Sequence, residues 1–165
     1  MGATRGGRVV SEYRTSLALV AANLREERAR YVLFGAMAMQ LWGTTRATRD
    51  IDILIEPTVE NARRVLGALS RTGLGLADEW LAEEVASKPV TVIGESPRVD
   101  VFTVAWSVSY RDAAAAAVTF ELEGVPIPTA SLDHLVESKR TGRLQDAADI
   151  EVLLEIRRLR ADGSP

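Results

Sequence analysis

Helix-spaced and strand-spaced apolar patterns alternate along this chain, which predicts an α/β fold, with α+β as the alternative. Three observations carry that expectation. Asp50–Glu56 alternates with period two, setting Ile51, Ile53 and Ile55 against Asp50, Asp52 and Glu56, with Leu54 on the polar side. Helical spacing flanks it, with Leu17, Val20, Ala21 and Leu24 before and Val59, Ala62, Leu66 and Leu69 after. Further short apolar runs, punctuated by Gly and Pro, follow to the C-terminal side. The architecture predicted is a small mixed sheet flanked by helices and closed by C-terminal helices.

Each element follows from local pattern. Ser11–Arg30 is expected as an amphipathic helix, and Tyr31–Phe34 as a buried strand that stops at Gly35. A brief helix, Ala36–Trp42, ends at Gly43. The strand Asp50–Glu56 is terminated by Pro57. The next helix ends near Gly73, and a second helical piece spans Asp78–Ala86. Strands are expected at Val90–Ile93 and Arg98–Val104, joined by the turn residues Gly94–Pro97. Alanines 113–117 favour helix. Glu123–Gly124, between Val118–Leu122 and Val125–Ile127, predicts a tight hairpin. Ser131 is placed to cap a helix running to about Arg140, and Asp146–Arg160 closes the chain helically. Residues 11–160 thus read as one domain, with flexible ends at 1–10 and 161–165.

Composition narrows the function. Apolar residues make up 47% and charged residues 26%, the balance of a globular protein. With no cysteine, neither a disulfide framework nor a thiolate metal site is available. No apolar run is long enough to cross a bilayer, and the opening MGATRGGRVV lacks a signal-peptide core, so a cytoplasmic address is expected. The net charge of −3 argues against non-specific coating of nucleic acid. Local basic groups remain, Arg46 with Arg49 and Lys139 with Arg140 and Arg143. Whether they meet depends on the fold.

Asp50-Ile51-Asp52 is the most informative feature. On a strand, residues i and i+2 face the same way, about 6–7 Å apart at Cα. Carboxylates that close repel unless a cation lies between them, and Mg²⁺ takes oxygen ligands while leaving room for substrate phosphates. The plainer reading is the polar outer face of an ordinary strand. Upstream, Gly35 permits close backbone approach, and the helix that follows offers free N–H groups to an anion.

In order, then, come strand, glycine, short helix, basic loop and acidic strand. The segment FGAMAMQLWGTTRATRDIDIL resembles the nucleotidyltransferase superfamily, whose fold is shared with the DNA polymerase β type. Its Arg46, Thr48, Asp50, Ile51 and Asp52 are similar to the Arg-x-Thr-x-Asp-Ile-Asp form of the abortive-infection AbiEii group, whose relatives include toxins of toxin–antitoxin pairs. The tail KRTGRLQDAADIEVL resembles that group's later helical motif, supplied by Lys139, Arg143, Asp146 and Asp149. The resemblance spans Tyr31 to Leu154 and implies a nucleotidyltransferase-like fold, with Asp100 in RVDVF as a third carboxylate. One position departs from it: Ala36 stands where glycine or serine is usual, which removes a hydroxyl that could bond a phosphate.

The resemblance implies transfer of a nucleoside monophosphate from a nucleoside triphosphate to an acceptor hydroxyl. Asp50, Asp52 and Asp100 would be the catalytic, metal-holding carboxylates, for Mg²⁺ or alternatively Mn²⁺. Gly35 and Ala36 would seat the phosphates, with Arg49 and Lys139 as their cations. The acceptor would be a tRNA or a protein, and an antitoxin protein is the implied partner. Two rivals stand beside this: a binding module of the same fold without turnover, to which Ala36 points, and a transferase acting on an antibiotic. Arg46 or Arg49 could equally pair with Asp50 or Glu56 as surface ions. Trp42, Trp80 and Trp106 read as core or interface residues, and His134 as a surface or capping residue.

Overall fold

A computed structural model describes residues 5–73 and 75–163, with the backbone alone at 5–14 and 76. Helix α1 (Arg5–Glu26) leads into β1 (Tyr31–Phe34), α2 (Gly35–Trp42) and β2 (Asp50–Ile55). Next come α3 (Val59–Arg71), a 3-10 turn at Gly75–Glu79 and α4 (Ala82–Ser87). Strands β3 (Val90–Ile93) and β4 (Arg98–Phe102) are followed by a small pair, β5 (Val104–Ala105) and β6 (Val108–Ser109). The remainder is α5 (Tyr110–Ala115), β7 (Val118–Leu122), β8 (Val125–Thr129), α6 (Leu132–Ser138) and α7 (Leu144–Ala161). The class is mixed α/β, as the alternating patterns predict.

Six strands form one sheet in the order β3-β4-β2-β1-β8-β7. β1 runs antiparallel to β2 and parallel to β8, while β2 runs parallel to β4. The C-terminal ends of β1 and β8 therefore share an edge with the N-terminal ends of β2 and β4. That edge receives the start of α2 from β1 and the start of α6 from β8.

The period-two reading of β2 holds in three dimensions. Ile51, Ile53 and Ile55 are fully buried, and the parallel register sets Val99 and Val101 of β4 beside the first two. Each such side chain contributes about 1.5–3 kcal/mol by leaving water. α3 turns its buried Ala62, Val65, Leu66 and Leu69 inward and packs with α1 and α4.

Several boundaries differ from expectation, each for a local reason. α1 covers Arg5–Glu26 instead of 11–30. It ends in a Schellman turn: Arg28 stands at φ 56°, its N–H donates to Arg25 O and that of Ala29 to Leu24 O. A left-handed arginine leaves no mark in apolar periodicity. Residues 5–10, expected to be flexible, are helical, while 1–4, 164 and 165 lie outside the described residues. The single helix expected at Asp78–Ala86 is two pieces, separated at Trp80–Leu81. The strand expected to reach Val104 stops at Phe102, because Val104 pairs with Ser109 in the small hairpin. The Glu123–Gly124 hairpin forms with positive φ at both turn residues, as a type I′ turn requires. Among the described residues, no helix is long and apolar enough to cross a membrane.

Candidate functional site

Register decides what the carboxylates face. Phe34, Asp52, Asp100 and Val92 lie in one row across β1, β2, β4 and β3. Adjacent strands are about 4.8 Å apart, so Asp52 and Asp100 stand side by side on one face. Asp50 is on the same face two residues along, beside Arg98. Burial first, then the charges of Asp100 and Asp50, push the Asp52 carboxyl up to about 6. Lys139 and Arg98 oppose the rise without cancelling it. Arg98 forks onto Asp100, Nε to Oδ1 at 2.8 Å and a terminal nitrogen to Oδ2 at 3.0 Å.

Gly35 closes this face from the β1 side. Its φ is +68°, and a Cβ built on it would stand 2.0 Å from Asp52 Oδ2. Glycine is needed twice over, for the left-handed backbone and for the carboxylate against its Cα. Gly35→Ala should therefore cost about 2–3 kcal/mol, about 1 for the left-handed alanine and the rest for the clash. A urea titration checks this, and Gly35→Ala on an Asp52→Gly background should lose much less. Equal losses in the two backgrounds would show that the contact is not the cause.

On the third side sits a buried ion network. Asp146 and Asp149, one turn apart at the start of α7, are both buried. Lys139, the C-cap of α6, lies 3.5 Å from Asp146 and 3.1 Å from Asp149. Asp146 also accepts from Thr141 Oγ1, and from Arg143 Nε at 2.8 Å. Asp149 accepts from Arg46 at 2.7 Å and Gln145 at 3.1 Å. Burial alone would raise Asp146, but the hydrogen bonds of Thr141 and Arg143 and the charge of Lys139 outweigh it and hold the carboxyl below its ordinary value. Asp149 is likewise raised by burial and lowered more by the bonds of Lys139 and Gln145. The two basic groups of the sequence do meet, with Arg46 and Lys139 sharing Asp149 Oδ2.

Between these walls lies a cavity of about 250 Å³. Its polar lining includes Asp52, Lys139, Thr141, Arg143 and Asp146; its apolar lining includes Phe34, Phe102, Ala105 and Trp106. Gly35 lies at its wall as well. The donor chemistry, a buried carboxyl raised to about 6 with two further carboxylates on its face, suits a hard divalent cation. As placed, however, no three acidic or histidine side chains among the described residues are grouped closely enough to hold an ion. Both oxygens of Asp100 are taken by Arg98.

The structure thus gathers Gly35, Asp50, Asp52, Asp100 and Lys139. Ala36 follows Gly35 in the first turn of α2. Arg49 is exposed just before β2 and outside the cavity wall. No protein-family model matches this chain, and no curated protein matches it. Geometry must carry the functional reading.

Other expectations are met in part. Arg46 pairs with Asp149, not with Asp50 or Glu56; Glu56 is bound by Arg30. Trp42 is buried, with its indole N–H on Ala130 O, and Trp80 carries Lys88 over its ring. Trp106, expected in a core or interface, is not in the core but 59% exposed at the cavity. The main-chain N–H of His134 donates to Ser131 Oγ, the predicted cap, but its ring Nδ1 is buried without a hydrogen-bond partner. Sequence reasoning missed Arg98 and Thr141. Arg98 had a signal, since on a strand it shares the face of Asp100 two residues on.

Proposed function

We propose that this protein is a metal-dependent nucleotidyltransferase of the type it resembles, moving a nucleoside monophosphate from a nucleoside triphosphate to an acceptor hydroxyl. One observation carries the reading: Asp52, with Asp50 and Asp100 on its face, presses against left-handed Gly35 at the wall of a cavity that also contains Lys139. An ordinary polar strand face has no reason to bury a carboxylate there at the cost of raising it to about 6.

Asp50, Asp52 and Asp100 would hold Mg²⁺, with Mn²⁺ as substitute, which when bound neutralises phosphate charge and makes the acceptor oxygen nucleophilic. Gly35, lacking a side chain, lets the phosphates approach the main chain at the start of α2. Lys139, held by Asp146 and Asp149, offers a fixed positive charge to the leaving pyrophosphate. Arg49 adds charge from outside the wall. Arg98 must release Asp100 for that carboxylate to serve as a ligand.

The acceptor class we favour is a tRNA or a protein, with an antitoxin protein as partner and a cytoplasmic address. The test is incubation with each labelled nucleoside triphosphate and Mg²⁺ or Mn²⁺ against RNA, protein and small acceptors. Label should reach one acceptor class, and Asp52→Asn should reduce transfer by about 10³-fold, some 4 kcal/mol of transition-state stabilisation. Undiminished transfer by Asp52→Asn would refute the site. A second reading, a nucleotide-binding module without turnover, is favoured by Ala36 and by the Arg98–Asp100 fork. It predicts nucleotide binding with no transfer to any acceptor.

A further inference from the structure

We propose that Trp106 is the platform on which the base of the bound nucleotide stacks, an inference that rests on the transferase reading and adds a base subsite to it. β5 and β6 pair Ala105 with Val108, so Trp106 and Ser107 are the two central residues of a tight turn. Trp106 stands there at φ 57°. A left-handed first position in such a turn favours Gly, Asn or Asp, and a bulky aromatic is disfavoured. Strain of that kind persists where the surroundings hold it, and it gathers at ligand sites.

The surroundings do hold it. Ser107 Oγ donates to Glu137 Oε1 at 2.8 Å, tying the turn to α6. The same helix ends at Lys139. The device that fixes the Trp106 turn is thus continuous with the one that delivers the cation. Trp106 is 59% exposed, whereas Trp42 is 9% exposed and bonded through its indole nitrogen. Among the described residues Trp106 is the tryptophan left exposed, and it stands at the wall of the cavity that contains Asp52 and Lys139. Phe102 and Ala105 extend the apolar lining beside it.

A nucleoside triphosphate has two chemistries to satisfy. Its phosphates require cations and amide donors, which Lys139, Gly35 and a metal held by the carboxylates would supply. Its base requires a flat apolar surface, and stacking on an aromatic side chain is tolerant of base identity because every base has a π-face. Trp106 is the exposed flat surface on this wall. Recognition through it would favour purines, whose faces are larger, without reading their hydrogen-bonding edges.

The experiment compares binding of ATP, GTP, CTP, UTP and inorganic tripolyphosphate, each with Mg²⁺, by calorimetry. It uses wild type, Trp106→Ala, Trp106→Phe and Trp106→Asn, the last suited to the left-handed turn. Trp106→Ala and Trp106→Asn should both weaken ATP and GTP by about tenfold, the scale of one stacked base, and leave tripolyphosphate unchanged. Trp106→Phe should retain most of the affinity. Indole fluorescence should be quenched by ATP in wild type and not in Trp106→Phe, which keeps Trp42 and Trp80. Equal ATP affinity in wild type and Trp106→Asn overturns the proposal, as does an equal loss for tripolyphosphate, which would assign Trp106 to cavity shape. Wild type that binds ATP no better than tripolyphosphate has no base subsite, and only this inference falls. Wild type that binds neither refutes the transferase reading as well.

Discussion

Asp149→Ala is expected to cost the protein about 3–5 kcal/mol, the usual loss when one partner of a buried ion network is removed. Lys139 is mostly buried and would keep Asp146, at 3.5 Å, as its remaining ion-pair partner, with Asp52 acting on it only as a neighbouring charge. Arg46 would lose the contact that ties the loop before β2 to α7. The penalty should also depend on pH in a defined direction. Asp149 is held below its ordinary value in the folded state, so its contribution is complete at neutral pH and declines as pH falls through that lowered value. Urea titrations at pH 7 and at pH 3 should accordingly show the gap between wild type and variant narrowing towards acid. Lys139→Met with Asp149→Ala should cost less than the two single changes added together, since the two directly paired charges leave together. A loss below about 1 kcal/mol at pH 7 would place this network among ordinary surface ion pairs.

Asp52→Asn should do the opposite in metal-free solution and stabilise the fold. The folded carboxyl sits at about 6 against an ordinary 3.8, so the folded state binds its proton more tightly than the unfolded chain does. Stability therefore falls as pH rises from about 4 through about 6, by about 3 kcal/mol at most. Asparagine carries no such proton, and the variant should lack that fall. Wild type and variant are expected to be nearly equal at pH 4, with the variant ahead at pH 7.5. Added Mg²⁺ should recover stability in the wild type and little in the variant, because neutralising the crowded carboxylates is what the cation does. Parallel pH profiles for the two proteins would mean that Asp52 is solvated like any surface aspartate.

Residues whose meaning is carried by local spacing were readable in advance. Asp50 and Asp52 had to share a face once β2 was recognised, and the Glu123–Gly124 turn and the Ser131 cap follow from the chemistry of their own residues. The failures have one character. Arg28 stops α1 in a left-handed turn that periodicity does not register, and Val104 leaves β4 because a partner two residues past the turn claims it. Trp106 could not be told from a core tryptophan, because in sequence it is simply apolar surface; only the fold leaves it outside the core.

By itself, the sequence determined which residues could alternate, coil or turn, and so the α/β class, the same-face carboxylate pair and the end of β1 at Gly35. These are properties of backbone geometry over a few residues, and they do not wait for the rest of the chain. Only the tertiary structure decided that Asp100 stands beside Asp52, that Arg98 closes on it, and that Arg46 and Lys139 converge on Asp149. Those contacts depend on sheet order and on where α6 and α7 come to rest. Both are set by burying the faces of many elements at once, a sum that no local pattern contains.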